Sequence, residues 1–121
     1  SNAMADIRVT HEAQVTVISF PAVFQRLRET EVEQIASTFL AAMQGAQPRK
    51  VLIDLEGVEF FGSSFIELLV RGWKRIKEDQ QGVFALCSVS PYCVEVLQVT
   101  HIDEVWPRYS TKQEALLAMA S

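Results

Sequence analysis

The chain has 121 residues, of which 49% are hydrophobic and 21% are charged, a composition typical of a folded globular domain rather than of a disordered or collagen-like chain. At this length we expect one domain that buries about two thirds of its unfolded surface. Eleven basic and fifteen acidic side chains give a net charge of −4, which argues against nucleic acid as a partner. No apolar stretch is long enough to cross a membrane.

The ends of the chain and its cysteines suggest where the protein works. Residues 1–3 resemble the remnant of an expression tag, so we expect the domain to occupy residues 4–121. The N-terminal segment is polar and lacks the apolar core of an export signal, which predicts a cytoplasmic protein with no segment inserted in a membrane. Cys87 and Cys93 are then expected to be reduced thiols, with a disulfide as the alternative.

The first elements are predicted from β-branched residues. Two such runs, at 7–9 and 15–18, are separated by a polar break and predict an antiparallel hairpin. A connector over residues 21–29 follows. It is expected to bury three apolar side chains, Val23, Phe24 and Leu27.

The first helix has the clearest pattern. Thr30 and Glu33 have the spacing of a capping box, which predicts that the helix begins at Thr30. One apolar stripe follows at helical spacing: Val32, Ile35, Ala36, Phe39, Leu40 and Met43. Gly45 and Pro48 are expected to end the helix.

Strands and helices alternate in the rest of the chain. The predicted elements are a buried strand at 51–55, a helix at 64–78, a strand at 83–87, a helix at 90–99, a strand at 102–106 and a helix from 111 onward. The order ββαβαβαβα predicts a single α/β domain with a mixed, mostly parallel sheet, an N-terminal hairpin strand and helices packed on the sheet.

Motifs for metal, cofactor or enzyme chemistry are not found. No cluster of His, Cys or acidic residues has the spacing of metal ligands, and neither glycine-rich phosphate-binding motif occurs, so no metal or cofactor is expected. An enzyme would need Ser64 or Cys87 activated by a base. Neither His11 nor His101 is placed for that by the predicted order of elements, which favours a protein that is not an enzyme.

The segment 56–64 is the strongest candidate for a functional site. It follows the carboxyl end of a buried strand and leads into a helix, where open α/β sheets place functional groups. Ser64 and Glu67 have capping-box spacing, so the serine can simply cap the helix. Alternatively, it is a phosphorylation site, because a phosphate is stabilised at a helix N-terminus and would charge a patch beside Phe60 and Phe61. The residue pattern leaves both interpretations open.

At this segment the sequence resembles the STAS family, the small α/β domains of bacterial anti-sigma factor antagonists and of sulfate-transporter tails. The matching segments are VLIDL at 51–55, GVEF at 57–60, two serines at 63–64, VFALCSVSP at 83–91 and IDEVW at 102–106. The antagonists usually read D-S-S/T-G-L at the serines. Here Gly62 stands in the place of the aspartate and Phe65 in the place of the glycine.

The resemblance implies a non-catalytic regulatory domain that binds a serine kinase/anti-sigma factor through the loop and helix at Ser63 and Ser64. It implies that Ser64 is phosphorylated and that phosphorylation turns binding off. The expected partner-binding residues are Phe60, Phe61, Gly62, Ser63, Ser64, Phe65 and Leu68, and the expected loop supports are Asp54 and Glu59.

The sequence leaves two questions open, the function of the domain and the contacts of its aromatic side chains. The changes at Gly62 and Phe65 favour a STAS subunit of a larger signalling scaffold or transporter complex that is not phosphorylated. The aromatic side chains of the segment can contact the kinase, contact a second copy in a dimer, or point into the core. The sequence does not indicate an oligomeric state.

Overall fold

The computed structural model describes residues 5–120, so the predicted tag remnant lies outside the described residues. The strands are β1 (Arg8–Glu12), β2 (Val15–Ser19), β3 (Arg26–Leu27), β4 (Lys50–Asp54), β5 (Phe60–Phe61), β6 (Val83–Cys87) and β7 (Arg108–Tyr109). The helices are α1 (Glu29–Gly45), α2 (Ser63–Ile76), α3 (Pro91–Val99) and α4 (Lys112–Met119), and a single 3₁₀ turn covers Ala22–Phe24.

The main sheet has the strand order β1-β2-β4-β6-β7. β1 and β2 form an antiparallel hairpin, and the other neighbouring strands are parallel. Ala13 and Gln14 make the hairpin turn with φ of 51° and 66°, the sign that a tight turn between right-twisted strands requires. β3 and β5 form a second, two-stranded parallel sheet. The predicted mixed α/β fold is confirmed.

The two faces of the main sheet are covered unequally. Side chains that alternate along the buried strands point to opposite faces, so Ile53 joins the core under α1, α2 and α3, while Leu52 faces α4. The smaller core beneath α4 includes Ala115 and Met119. The larger core therefore holds the helices that carry the candidate site.

The apolar stripe predicted for α1 is confirmed, but its predicted start is wrong. The helix begins at Glu29, and the carboxylate of Glu31 accepts a hydrogen bond from the amide of Arg28 at 3.0 Å. Glu33 is exposed. Acidic residues stand at 29, 31 and 33, and Glu31 is the one that bonds back to the start of the helix. Its carboxylate also pairs with the Arg28 guanidinium at 3.0 Å.

Two further predictions are wrong. Val23 is 63% exposed, because the 3₁₀ turn points only Phe24 of the three apolar connector residues 22–24 into the core. Residues 102–106 form turns rather than a strand, and Trp106 packs against the rings of Trp73 and Phe84. The last strand, β7, comes after Pro107, and the Trp106 ring before it is buried in the larger core.

The starts predicted for the last two helices are confirmed. The Ser90 hydroxyl accepts a hydrogen bond from the Cys93 amide at 3.2 Å, and the Thr111 hydroxyl accepts one from the Glu114 amide at 3.1 Å. Each hydroxyl satisfies an amide that has no acceptor within its helix. Among residues 5–120, no helix combines the length and apolar character needed to cross a membrane.

Candidate functional site

Residues 55–64, called here the serine segment, leave the carboxyl end of β4 and enter α2. The Asp54 carboxylate, which is 7% exposed, accepts hydrogen bonds from the Glu56 amide at 3.2 Å and from the Cys87 thiol at 3.6 Å. Gly57 turns the backbone with a φ of +85°, a conformation that strains other residues. The beginning of the serine segment is therefore tied to the end of β6.

Glu59 joins the serine segment to two neighbouring elements. Its amide donates to the carbonyl of Gln25 at 2.8 Å, and its carboxylate accepts from the Gln25 side chain at 2.9 Å. Its carbonyl accepts from the Ser90 hydroxyl at 3.4 Å and from the Cys93 thiol at 3.7 Å. The middle of the segment is thus held both by the connector before α1 and by the first turn of α3.

The aromatic residues of the segment divide between surface and core. Phe60 is half-buried, whereas Phe61 is fully buried, since successive residues of β5 point to opposite sides. The ring of Phe65 packs 5.2 Å from Phe61 and 5.8 Å from Phe20, centroid to centroid. Of the three interpretations left open for the aromatic side chains, Phe61 therefore follows the one in which the ring points into the core. Phe65 and Leu68 are buried as well, so their side chains are not free to contact a partner.

The surface around Phe60 contains residues that the sequence pattern did not single out. The Arg26 guanidinium lies 5.0 Å from the centre of the Phe60 ring, and the Tyr92 ring lies 5.6 Å from it. The three side chains come from β3, β5 and α3, which are distant along the chain. No spacing rule would have associated them, because tertiary packing alone brings them together.

The two serines occupy the first turn of α2. The helix begins at Ser63, and Gly62 stands at the capping position without a side-chain hydrogen bond. The interpretation of Ser64 as the helix cap is therefore wrong. Ser63 is exposed, whereas Ser64 is half-buried. Both hydroxyls lie next to helix amides that have no acceptor within the helix.

Ser64 lies in a groove between α1 and α2. The groove has a volume of about 260 Å³, and its lining includes Ser64, the acidic residues Glu29, Glu33 and Glu67, and the basic Arg71. A phosphate on Ser64 would therefore share a groove with three acidic residues and one basic residue. Electrostatic repulsion opposes that modification, while the helix dipole favours it.

The two cysteine thiols near the segment are not activated as nucleophiles. Burial, followed by the charge of Asp54, raises the pKa of the Cys87 thiol to about 12. Burial likewise raises the pKa of Cys93. Within residues 5–120, neither serine is hydrogen-bonded to a histidine, and no group of three or more His, Cys, Asp or Glu side chains is placed to hold a metal ion. At the surface the segment presents one exposed serine, Ser63.

The sequence profile of the STAS domain matches residues 7–115. The chain belongs to the STAS domain family. The predicted resemblance is confirmed, and the match spans every strand and the first three helices of this STAS domain.

Solved structures share the fold. A candidate anti-sigma factor antagonist from Thermotoga maritima matches with a TM-score of 0.82 and 21% identity over 95% of each chain. The Bacillus cell fate determinant SpoIIAA matches in its phosphorylated form with a TM-score of 0.67 and 23% identity, over 93% of this chain and 97% of that one. Its unphosphorylated form matches with a TM-score of 0.66 and 21% identity, over 93% and 96%. No match was found among curated proteins.

Proposed function

We propose that this STAS domain is a non-catalytic regulatory protein of the cytoplasm that binds a serine kinase/anti-sigma factor through the serine segment. Phosphorylation of the segment turns the binding off. The observation that carries the proposal is the exposed Ser63 at the first position of α2, three residues after the half-buried Phe60. The shared fold with SpoIIAA, a protein solved with and without phosphate, supports it.

The exposure of the two hydroxyls bears on which one accepts the phosphate. A kinase must take the hydroxyl into its own active site, and Ser63 is exposed for this. Ser64, the acceptor expected from the sequence, is half-buried in the groove with Glu29, Glu33 and Glu67. The geometry therefore supports Ser63 as the stronger acceptor, with Ser64 as the competing position.

The consequence of phosphorylation follows from the charge that it adds. A phosphate carries about −1.5 to −2 charges at pH 7 and is stabilised at a helix N-terminus. The fold is therefore expected to persist. The partner, in contrast, would have to desolvate a new dianion next to Phe60, which is costly in an interface. Binding is lost while the domain stays folded.

The proposal is tested with the cognate serine kinase, taken from the neighbouring gene, and ATP. We expect a mass increase of one phosphate in the wild type and in Ser64→Ala, and none in Ser63→Ala. Calorimetry should show that Ser63→Ala still binds the kinase and that Ser63→Asp does not. Unmodified protein that does not bind the kinase would contradict the proposed function, and a phosphate that disappears only in Ser64→Ala would return the assignment to Ser64.

A second function is favoured by Gly62 and by the carboxylates around Ser64. The STAS antagonists have an aspartate at the position of Gly62, and its absence removes a charged group beside the hydroxyl. The domain would then be an unphosphorylated subunit of a larger signalling scaffold or transporter complex. In that case neither serine gains phosphate with the kinase, and the wild type copurifies stably with the products of neighbouring scaffold or transporter genes.

A further inference from the structure

Helix α3 has a second apolar stripe on its outer side. Its inner side chains, Cys93 and Leu97, are buried in the core. The outer side carries Tyr92, Val96 and Val99 at spacings of four and three residues, called here the outer stripe. Tyr92 is 51% and Val99 77% exposed, and Val96 is half-buried. Single exposed apolar residues are common on protein surfaces, but an exposed aromatic and an exposed valine aligned on one side of a short helix form a patch, which is typical of an interaction site.

The outer stripe is continuous with the serine segment. Two hollows of about 280 and 380 Å³ adjoin Tyr92, the first lined by Arg26, Glu59 and Phe60 and the second by Glu95, Val96, Val99 and Thr100. The hydrogen bond from Ser90 to the Glu59 carbonyl fixes the two parts relative to one another. Because Phe60 of the serine segment and Tyr92 of the outer stripe line the same hollow, a partner that contacts Phe60 also reaches the outer stripe.

The size of a stable interface requires such an extension. A specific complex buries about 800 Å² on each partner, and large aromatic side chains contribute most of the affinity. At the end of the serine segment Ser63 is exposed and Gly62 and Ser64 are half-buried, and these three small residues do not supply that area. Tyr92, together with Phe60, supplies the aromatic anchor, and the valines extend the contact along α3.

The charges beside the outer stripe define the kind of partner. Two exposed acidic residues line the hollows that flank Tyr92: Glu59, whose carboxylate accepts from the Gln25 side chain, and Glu95. Arg26 lines the first hollow with its guanidinium over the Phe60 ring. An apolar surface with an acidic border is complementary to an apolar stripe with basic neighbours.

We propose that the outer stripe binds an amphipathic helix of the serine kinase/anti-sigma factor, whose apolar face is flanked by Lys or Arg residues. This inference rests on the proposed function and names the part of the partner that makes the contact. Tyr92 and Val99 anchor the partner helix, and Glu95 accelerates its association through its charge. Phosphorylation at the serines then acts at one end of a larger interface.

The test measures kinase binding by wild type, Val99→Glu and Leu117→Glu. Leu117 is the matched control, since it is 79% exposed near the end of α4, the helix on the opposite face of the sheet. We expect Val99→Glu to weaken binding at least tenfold and Leu117→Glu to change it by less than about twofold. Glu95→Lys should slow association, and the slowing should diminish at high salt.

The other outcomes overturn the inference in distinguishable ways. If wild type and both glutamate variants bind the kinase equally, the outer stripe is not part of the interface, although the proposed function stands. If the wild type does not bind the kinase, both fail. If sedimentation shows a wild-type dimer that Val99→Glu converts to a monomer while kinase binding is unchanged, the occupant is a second copy of this chain. Circular dichroism confirms that each variant is folded.

Discussion

Phe39 on α1 packs directly against Gly72 on α2, so closely that a Cβ placed on Gly72 would lie 2.6 Å from a ring carbon of Phe39 and 3.1 Å from Met43. The absence of a side chain at Gly72 allows the two helices to approach. Because α2 begins with Ser63 and Ser64, this contact helps to set where the serines stand relative to α1. The helix-lined groove around Ser64 depends on the same close approach.

Gly72→Ala should therefore destabilise the domain, although alanine favours helix more than glycine does. The Phe39 ring is fully buried and must shift to accept the added Cβ, so we expect a loss of about 1–3 kcal/mol in the free energy of unfolding. Urea unfolding followed by tryptophan fluorescence measures it. In the control Gly45→Ala, an added Cβ has nothing within 4 Å, and we expect no loss or a gain of up to about 1 kcal/mol. An equal change in the free energy of unfolding of the two variants would show that the close contact between Gly72 and Phe39 is absent.

Ser90→Ala should both weaken α3 and loosen the serine segment. The hydroxyl caps the helix and also donates to the Glu59 carbonyl, and loss of the cap alone costs about 1 kcal/mol. Amide hydrogen exchange at Glu59 should become faster. Thr111→Ala removes the equivalent cap of α4 and serves as the control, because it should cost a similar amount of stability without changing exchange at Glu59. An unchanged rate at Glu59 in Ser90→Ala would argue against the connection.

Because of the Arg28–Glu31 pair, the free energy of unfolding should change with pH in the acidic range. The hydrogen bond from Arg28 lowers the pKa of Glu31 from 4.5 to about 2 in the folded protein. The pair therefore stabilises the fold above pH 4.5, and this contribution is lost as the pH falls from 4.5 towards 2. The midpoint of urea unfolding should be lower for Glu31→Gln than for wild type at pH 7, and the two should converge near pH 2. Glu33→Gln, at an exposed position of the same turn, should match wild type throughout; a constant difference for Glu31→Gln would disprove the charge effect.

Both cysteine thiols should be unreactive in the folded protein. With the pKa of Cys87 near 12, only about one thiol in ten thousand is ionised at pH 8, and burial also shields the sulfur. Ellman's reagent should label no thiol rapidly in buffer and two in concentrated urea. Cys93→Ala isolates Cys87 and should show the same contrast with a single thiol. A fast reaction in buffer would place an activated thiol at the carboxyl edge of the sheet.

Local patterns in the sequence were sufficient to predict most of the elements. The polar break between two β-branched runs predicted the hairpin, and the helical spacing from Val32 to Met43 predicted the buried face of α1. Ser90 and Thr111 predicted where α3 and α4 begin, since a cap is a contact between neighbours in the chain. The prediction at Thr30 failed because Arg28 and Glu31 have the same three-residue spacing as Thr30 and Glu33, and the carboxylate of Glu31 accepts from the Arg28 amide.

The sequence predicted which segment of the chain holds the candidate site, but not which of its side chains are exposed or what they contact. Length, composition and charge by themselves predicted one acidic domain, and the order of the elements was enough to determine the α/β fold. Tertiary packing alone decided that Phe61 and Phe65 turn inward, that Ser63 rather than Ser64 is exposed, and that Arg26 and Tyr92 meet on Phe60. Burial and contacts between distant segments depend on how several elements pack at once, and no local pattern of residues specifies that.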